Sequence, residues 1–539
     1  MPKINPISNS ALSTIAGETL QRWLQDSNEL ALLDVREHGQ YGEGHPFFAV
    51  NAPYSRLEVE VVRLVPRRDC RIVLIDNDGA LAPLAEARLA ALGYSDIHIL
   101  ANGLLSWSDS KHALFKGVNL PSKTLGELVE HAFEVPHIDA LSLDALRRSG
   151  APLVLLDGRT LDEHRKMTLP GAIPLPNGEL ATRWRSVVHD TTTPIVVHCA
   201  GRTRSLVGAQ ILRELGVPNP VFALENGTQG WALAGLPLEH GSDRILPPFI
   251  SDSSQAARRD SAAAAHSANV PQLTVAEAQG WIDDTRRTTF IIDVRTAEEF
   301  ARNTLPGARH APGGQLIQAT DLHIGVRNSR VLVLDDDEIR APVIALWLRR
   351  LGFDAAWVQG GWKSALRIPE PIAAVLPTCV ERFDHQELNA LRLAKHVSVL
   401  DLRLSLVYRA RHVRGARWST RARVLADAQA LAGDDFAAPL LLVAPDETTA
   451  RLAGHELNEA GWRSIGWATQ ADFETAGWQT EATPDSPTDA EAIDYLFFVH
   501  DRHDGNLDAA RRYLDWELGL VAQCTPDELA VFRLPHIDS

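Results

Sequence analysis

The stretch that decides the fold is Ile195-Val196-Val197-His198-Cys199-Ala200-Gly201-Arg202-Thr203-Arg204-Ser205, which continues as LVGAQILRELG. Its β-branched start predicts a strand, its middle a turn led by a cysteine, and its end a helix. Ser205 at the helix start and Gly216 just past its end are the usual cap residues. Apolar side chains at helical spacing predict that one helix face packs on a sheet: Leu206, Ala209, Leu212 and Leu215.

The turn after this strand has the features of an anion site. Several backbone N–H groups point into such a loop, at the positive end of the helix dipole. The thiol of Cys199 is flanked by Arg202 and Arg204, so we expect its pKa to lie well below the free value of ~8.5. The stretch therefore predicts an anion-binding turn built around a nucleophile.

Length and composition restrict the classes of protein to consider. A chain of 539 residues is too long for one core and predicts several domains. The net charge of −16 argues against general binding to nucleic acid or to an acidic membrane. The N-terminal residues lack the pattern of a secretory signal, and no apolar window is long enough to span a membrane. The four cysteines lack CxxC spacing, which predicts neither a disulfide framework nor a zinc site. We expect a cytoplasmic protein without a metal or cofactor.

One pattern recurs four times along the chain. An apolar strand ends in Asp-x-Arg, at Asp34, Asp157, Asp293 and Asp401. In each copy a second apolar strand, a polar turn, a helix, a third strand and a Gly/Trp turn follow, although the last turn is degraded in the fourth copy. Alternating strands and helices indicate an α/β fold with a mostly parallel sheet flanked by helices. Repetition at this length indicates tandem domains.

The repeat sets the predicted boundaries. We call residues 1–118, 119–243, 270–370 and 371–482 modules one to four, and residues 483–539 the tail. Residues 244–269, rich in Ser and Ala, are predicted to be a linker. The tail is predicted to be helical and to dock on the modules, because its helix would be marginal alone. Its expected buried side consists of Leu507, Tyr513, Leu514 and Leu518.

These features resemble the rhodanese family of sulfurtransferases. The resemblance rests on the Asp-x-Arg, on the Leu-Pro-Gly-Ala segments at residues 169–172 and 305–308, on the cysteine-led loop, and on the late Gly-Trp turn. It covers four tandem modules, strongly in modules two and three, and does not extend to the tail. The resemblance implies four rhodanese-like domains, each a mostly parallel sheet with flanking helices.

Alignment of the four loops indicates which module can react. The position of Cys199 is Asp76 in module one, Asp335 in module three and Ala444 in module four. A carboxylate cannot carry a sulfane sulfur, and it repels an anionic donor. We therefore expect modules one, three and four to be inactive and Cys199 to be the chain's single active site.

The resemblance also implies a reaction. In rhodaneses the cysteine thiolate takes a sulfur atom from a donor such as thiosulfate, becomes a persulfide, and passes the sulfur to cyanide or a thiol. The backbone N–H groups from Ala200 to Ser205 are expected to stabilise the persulfide's charge, and Arg202 and Arg204 to bind the donor anion. The predicted substrate-binding residues are thus Ala200, Gly201, Arg202, Thr203, Arg204 and Ser205, with Cys199 catalytic.

Three further residues are predicted to support the site. Asp157 and Arg159 match the family's Asp-x-Arg, and their recurrence in inactive copies indicates a charge-assisted hydrogen bond that holds the fold. Trp231 recurs as Trp107 and Trp362, which favours a packing role. His198 precedes the nucleophile and is interpreted as structural rather than as a general base.

Several alternatives stay open at this point. Cysteine phosphatases also hold an oxyanion in a loop, but they place five residues between Cys and Arg, whereas four separate Cys199 from Arg204. A donor of the 3-mercaptopyruvate type is less expected than thiosulfate because the loop carries two arginines. A persulfide carrier in a sulfur relay would use the same cysteine, and a non-enzymatic scaffold would use none.

Overall fold

A computed structural model describes residues 13–374, 376–394, 397–433, 435–503 and 505–535. It contains four five-stranded parallel sheets, one in each module, and a two-stranded antiparallel ribbon in module four. In chain order the strands are β1 Thr14–Ile15, β2 Ala31–Asp34, β3 Val50–Asn51, β4 Ile72–Ile75, β5 Ile97–Leu100, β6 His137–Ile138, β7 Val154–Asp157, β8 Ile173–Pro174, β9 Ile195–His198, β10 Val221–Leu224, β11 Gln272–Leu273, β12 Thr289–Asp293, β13 Arg309–His310, β14 Arg330–Leu334, β15 Asp354–Val358, β16 Glu381–Arg382, β17 Ser398–Asp401, β18 His412–Val413, β19 Arg417–Trp418, β20 Leu440–Val443, β21 Ile465–Ala468 and β22 Thr480–Glu481.

The helices surround these sheets. In chain order they are α1 Gly17–Gln25, α2 His38–Glu43, α3 Leu57–Leu64, α4 Ala82–Ala91, α5 Gly103–Asp109, α6 Leu120–Phe133, α7 Ala140–Arg148, α8 Leu161–Lys166, α9 Leu180–Arg183, α10 Thr203–Glu214, α11 Gly227–Leu233, α12 Ser254–Ser267, α13 Val275–Asp283, α14 Ala297–Arg302, α15 Gly313–Gln318, α16 Arg340–Arg350, α17 His385–Leu393, α18 Ser405–Ala410, α19 Val424–Ala432, α20 Glu447–Glu459, α21 Gln470–Thr475, α22 Phe497–His500, α23 Leu507–Leu518, α24 Leu520–Gln523 and α25 Pro526–Leu529. None of the helices in the described ranges has the length and apolar character needed to cross a bilayer.

The four sheets share one strand order. When the five strands of each sheet are numbered in chain order, every sheet has the order 1-5-4-2-3. In module two this order is β6-β10-β9-β7-β8. The strand that ends in Asp-x-Arg lies beside the strand that leads into the functional loop, in every module. The predicted fold class, tandem α/β domains with mostly parallel sheets and a helical tail, is confirmed.

Modules one, two and three share one apolar cluster, and each of them also has a smaller cluster of its own. One continuous apolar cluster joins modules one, two and three, and the tail adds Leu520 and Phe532 to it. Module four has two clusters of its own. It meets module one through a buried ion network in which Arg421 binds Glu58 and Glu456.

The predicted linker, residues 244–269, connects modules two and three but is largely helical. Its second half forms α12, which packs against α16 of module three. Small side chains permit this close packing, since Ala257, Ser261 and Ala265 are almost fully buried. The Ser/Ala composition, which predicted a linker, is therefore the composition of a packed helix face.

The tail docks as expected, but with a different buried face. Tyr513 and Leu514 of α23 are buried, whereas Leu507 is 40% exposed and Leu518 is 51% exposed. The prediction for the two outer leucines is wrong because both lie at the ends of α23, outside its contact with module two. Glu517 is buried in that contact instead.

Candidate active site

The strand register places the predicted site at the carboxyl edge of the module two sheet. Asp157 at the end of β7 is paired with His198 at the end of β9. Cys199 follows directly, so the thiol and the Asp-x-Arg lie beside each other. The thiol is nearly inaccessible, because Cys199 is 2% exposed.

Helix α10 starts two residues earlier than predicted. It begins at Thr203, because the carbonyl of Arg202 accepts the first helical hydrogen bonds from the N–H groups of Ser205 and Leu206. Ser205 is therefore not the N-cap. Its hydroxyl instead donates a hydrogen bond to Sγ of Cys199, at 3.1 Å. At the other end, Gly216 follows the helix in the left-handed region, at φ +68°, as predicted.

The loop amides form the expected anion nest. In the described part of the chain, the N–H groups of Arg202, Thr203 and Arg204 donate to no protein acceptor. They occupy the first turn of α10, where such groups have no partner within the helix. The loop thus offers unpaired donors beside a buried thiol.

The modules that lack the cysteine show which group the same loop position holds there. In module three, the Asp335 carboxylate accepts hydrogen bonds of 2.8–3.1 Å from four successive backbone N–H groups, those of residues 338 to 341. In module one, the Asp76 carboxylate accepts three, of 2.7–2.9 Å. Both acids stand at the position of Cys199, directly after the strand. The same loop frame therefore holds a carboxyl group in two modules and a thiol in the third. Burial raises the pKa of Asp335, and the backbone N–H groups oppose this shift.

In each of these three loops, a glycine packs against the carbonyl group of the first loop residue. The backbone of Gly227 lies so close to Cys199 that an added Cβ would be 2.2 Å from the Cys199 carbonyl oxygen, and its φ is +51°. The next N–H group, of Thr228, donates to the same carbonyl at 2.8 Å. Gly103 and Gly361 hold the carbonyls of Asp76 and Asp335 in this way. The Gly turn thus positions the backbone of Cys199, Asp76 or Asp335 in its module.

Ala200 and Gly201 complete the turn through their backbones. The Ala200 carbonyl accepts from the backbone N–H and from the side-chain amide of Gln229, the latter at 3.0 Å. Gly201 is buried, and a Cβ there would lie 2.8 Å from a carboxylate oxygen of Glu517. A side chain at position 201 would therefore collide with the tail.

Arg202 is neutralised by two acids of α6. Its Nε donates to both oxygens of Glu127, at 2.9 and 3.0 Å, and Nη2 binds Glu130. Burial raises the pKa of Glu127 to about 7, although Arg202 opposes the shift.

Arg204 is neutralised within module two. Its two terminal nitrogens each donate to one oxygen of Glu163, both at 2.7 Å. Burial raises the pKa of Glu163, but the charge and hydrogen bonds of Arg204 lower it more. The resulting pKa is about 2. Module three contains the same pair, Arg340 with Glu299. The pair therefore belongs to the shared frame and is not specific to the module with the thiol.

Asp157 and Arg159 form the predicted charge-assisted pair. Two nitrogens of Arg159 donate to the Asp157 carboxylate at 2.8 and 2.7 Å, and one also donates to the Met167 carbonyl. Burial opposes ionisation of Asp157, but His198 and Arg159 hold its pKa well below the usual value. The pair recurs in the other modules as Asp34–Arg36, Asp293–Arg295 and Asp401–Arg403.

The two remaining candidates, His198 and Trp231, are both buried, which fits a structural role. His198 is fully buried and faces Asp157 at 3.7 Å, and burial lowers its pKa to about 4. Trp231 is 1% exposed within a cluster that includes Leu169 and Val196, and its ring N–H donates to the Pro237 carbonyl.

The tail covers the loop, which the sequence did not predict. The Thr203 hydroxyl and the ammonium of Lys123 both donate to one oxygen of Glu517, at 2.9 and 3.1 Å. The other oxygen of Glu517 is buried, and none of the described residues forms a hydrogen bond with it. Glu517 carries no motif that links it to a loop 314 residues before it. Glu163 could have been found, because Thr160 and Glu163 form a capping box that recurs as Thr296 and Glu299.

Comparisons with known proteins agree with this geometry. The rhodanese-like domain family matches residues 17–110, 139–234 and 274–367, together more than half of the chain. The crystal structure of a thiosulfate sulfurtransferase from Pseudomonas aeruginosa is 37% identical, with a TM-score of 0.87, over 97% of this chain and 99% of that one. An HTH-type transcriptional regulator of Mycobacterium tuberculosis (strain ATCC 25618 / H37Rv) is 34% identical over 98 residues. That match covers 18% of this chain and 42% of the regulator, so the chain spans less than half of that relative.

Module four lies outside the three matched ranges, but its sheet has the same strand order. At the loop position it has Ala444, and the nearby Asp446 caps α20 by accepting from the Thr449 N–H. Neither a thiol nor a carboxylate follows β20 directly. With the shared sheet order, the recurring Asp-x-Arg pairs and the family matches, the chain belongs to the rhodanese family.

Proposed function

We propose that this protein is a sulfurtransferase that moves sulfane sulfur from thiosulfate, through a persulfide on Cys199, to a thiophilic acceptor such as cyanide or a thiol. One observation carries the proposal. The frame that holds Cys199 holds a carboxylate in modules one and three, and backbone N–H groups neutralise that charge. A sulfur placed in the same nest is stabilised as an anion, both as thiolate and as persulfide.

The reaction follows from this electrostatic preference. The Cys199 thiolate attacks the outer sulfur of thiosulfate, a new S–S bond forms, and sulfite leaves with the electron pair of the broken bond. The terminal persulfide sulfur is then attacked by cyanide, which leaves as thiocyanate and regenerates the thiolate. The Ser205 hydroxyl, 3.1 Å from Sγ, stabilises the thiolate between turnovers.

Binding of an anionic donor needs cations or N–H donors that do not already have a partner. The arginines predicted for this role are paired, Arg202 with Glu127 and Glu130, and Arg204 with Glu163. The support for thiosulfate over 3-mercaptopyruvate therefore comes from the unpaired loop amides and from the Pseudomonas aeruginosa relative, rather than from free arginine charge.

Sulfur loading tests the proposal. Purified protein is incubated with thiosulfate, freed of excess donor, and assayed for cyanolysable sulfur. We expect one sulfur per chain, located on Cys199 by mass spectrometry, and none in Cys199→Ser. Cys524→Ser is the matched control because Cys524 is half-buried in the tail, and it should load normally. A wild-type protein that gains no sulfur would favour the scaffold alternative.

A second assay decides between donors and reaction classes. We expect kcat/KM to be higher for thiosulfate than for 3-mercaptopyruvate, and no turnover of an aryl phosphate. Loading only by a persulfidated protein donor would identify a relay carrier. Aryl phosphate hydrolysis that Cys199→Ser abolishes would overturn the sulfurtransferase assignment.

A further inference from the structure

The loop of module two lacks the internal support that its counterparts have. In module three, the carboxyl group of Asp335 accepts hydrogen bonds from four successive backbone N–H groups, and that of Asp76 in module one accepts three. The Cys199 thiol cannot replace such a carboxyl group, because its sulfur is a weak hydrogen-bond acceptor. Contacts from outside the loop are therefore needed to hold its open N–H groups in place.

These outside contacts come from α6 and from α23 of the tail, and both involve Thr203. Gly126 of α6 packs so closely that an added Cβ would lie 2.9 Å from Cα of Thr203. The Thr203 hydroxyl donates a hydrogen bond of 2.9 Å to Glu517 of α23. In modules one and three, the aligned residues are Ala80 and Ile339, whose side chains cannot form such a bond. Of these three modules, only the one with the cysteine can have this contact.

Glu517 itself is fixed by further contacts. It is 1% exposed, and the ammonium of Lys123 donates to the oxygen that also accepts from Thr203, at 3.1 Å. The same ammonium lies 5.0 Å from the ring centre of Tyr513. Burial raises the pKa of Glu517, but the charges of Lys123 and Arg502 lower it more, so the pKa lies below its usual value. The ionised carboxylate is a strong acceptor for the Thr203 hydroxyl.

We infer that Glu517 is a positioning residue for the reaction at Cys199. Through Thr203 it holds the first turn of α10, so that the open N–H groups stay in place beside the sulfur. These groups belong to residues 202–204, and Thr203 lies in the middle of them. Donors that are fixed in advance stabilise a developing charge better than donors that must first reorient. The effect on turnover rests on the proposed sulfur transfer, whereas stabilisation of the thiolate does not.

The pH dependence of Cys199 alkylation in the full-length protein tests this inference. Iodoacetamide is the probe, and the modified Cys199 peptide is quantified by mass spectrometry. The midpoint of the rate profile gives the pKa of the thiol, and the plateau rate at high pH gives its accessibility. Thr203→Val removes the hydroxyl that binds Glu517. We expect it to raise the midpoint by about one pH unit, which corresponds to a roughly tenfold smaller thiolate fraction below the midpoint.

Variants of Glu517 separate its position from its charge. Glu517→Ala removes the acceptor and should raise the midpoint as Thr203→Val does. Glu517→Gln keeps an oxygen that can accept from Thr203 and removes a negative charge, so its midpoint should not exceed that of wild type. Asp508→Asn is the control on the same helix, because Asp508 is 77% exposed, and it should leave the midpoint unchanged.

An unchanged or lower midpoint in Thr203→Val would overturn the inference. A higher plateau rate with an unchanged midpoint would also overturn it, because α23 would then act only as a cover. Thr203→Val keeps the test decisive if Glu517→Ala does not fold, since Lys123 and Glu517 stay paired in it. The alkylation assay uses no sulfur donor. A raised midpoint therefore supports the inference even if sulfur loading fails, and an unchanged midpoint with normal loading contradicts the role of Glu517 alone.

Discussion

Modules two and three differ at the position that directly follows the strand leading into the loop. Both have the same strand order, the same Asp-x-Arg pair, and the same Arg–Glu pair beside the loop, Arg204–Glu163 and Arg340–Glu299. Directly after the strand, module two has Cys199 and module three has Asp335. The comparison teaches that the recurring residues build one loop frame that accepts either a thiol or a carboxyl group. Under the proposed function, only the thiol can take up sulfur.

We expect the largest effect on sulfur loading from replacing Cys199 of module two with aspartate, the residue that module three has at this position. In Cys199→Asp, the carboxylate should accept the free N–H groups of residues 202–204, as Asp335 does in its own loop. We expect sulfur loading to fall to background and the melting temperature to stay at or above that of wild type. A clear loss of thermal stability would mean that the two nests are not equivalent.

The second prediction concerns removal of the carboxylate from the loop of module three. Asp335→Ala removes the acceptor of four buried N–H groups, and we expect a loss of about 2–4 kcal/mol of stability. The readout is the thermal melting of the full chain. Sulfur loading at Cys199 should change less than about twofold. Asp337→Ala, in the same loop but 37% exposed, is the control and should melt like wild type.

A third test asks whether the shared Arg–Glu pair affects the donor. Glu163→Gln leaves Arg204 without its charged partner, so we expect KM for thiosulfate to fall about fivefold, the equivalent of ~1 kcal/mol of charge interaction. The matched variant Glu299→Gln makes the same change beside the inert loop and should leave KM unaltered. An increased KM in Glu163→Gln would show that the pair positions Arg204 for binding.

The smallest effect is a pH dependence from Glu127. Because its pKa is about 7, Glu127 takes up a proton as the pH falls from 8 to 6, and the charge of Arg202 is then less compensated. We expect KM for thiosulfate to fall about two- to threefold over this range, and the dependence to vanish in Glu127→Gln. A profile unchanged in Glu127→Gln would assign the titration to another group.

The raised pKa of Glu127 also makes the free energy of unfolding depend on pH. The carboxyl of Glu127 is raised from 4.5 in the unfolded chain to about 7 in the folded one. Its contribution to stability is therefore present below pH 4.5 and is lost as the pH rises through 7. Melting curves should show the difference between wild type and Glu127→Gln develop between about pH 4.5 and pH 7 and stay constant above about pH 8.

Much of this architecture could be predicted from the sequence, because repeated patterns report on local rules. Asp157 and Arg159 predicted a buried pair from their recurrence, and the pair is present in all four modules. The loop was located by the change from β-branched to helical spacing around Cys199. The helix start at Thr203 could not be predicted from cap preferences alone, because the Ser205 hydroxyl binds sulfur instead of the backbone.

What the sequence could not predict are contacts between distant segments. Arg202 and Arg204 suggested free positive charge, but the acids that neutralise them lie on separate helices, Glu127 on α6 and Glu163 on α8. Charge patterning predicts partners only within one element. The docking of Glu517 on Thr203 depends on how all four modules pack, which no local pattern encodes.

The contact between Glu517 of the tail and Thr203 of the loop has a consequence for synthesis of the chain. Glu517 comes after every module, 314 residues beyond Thr203. While a ribosome translates modules three and four, the loop of module two lacks the cover that Glu517 gives it in the finished chain. The hydrogen bond between Thr203 and Glu517 therefore forms only late in synthesis, after α23 has been made and has docked.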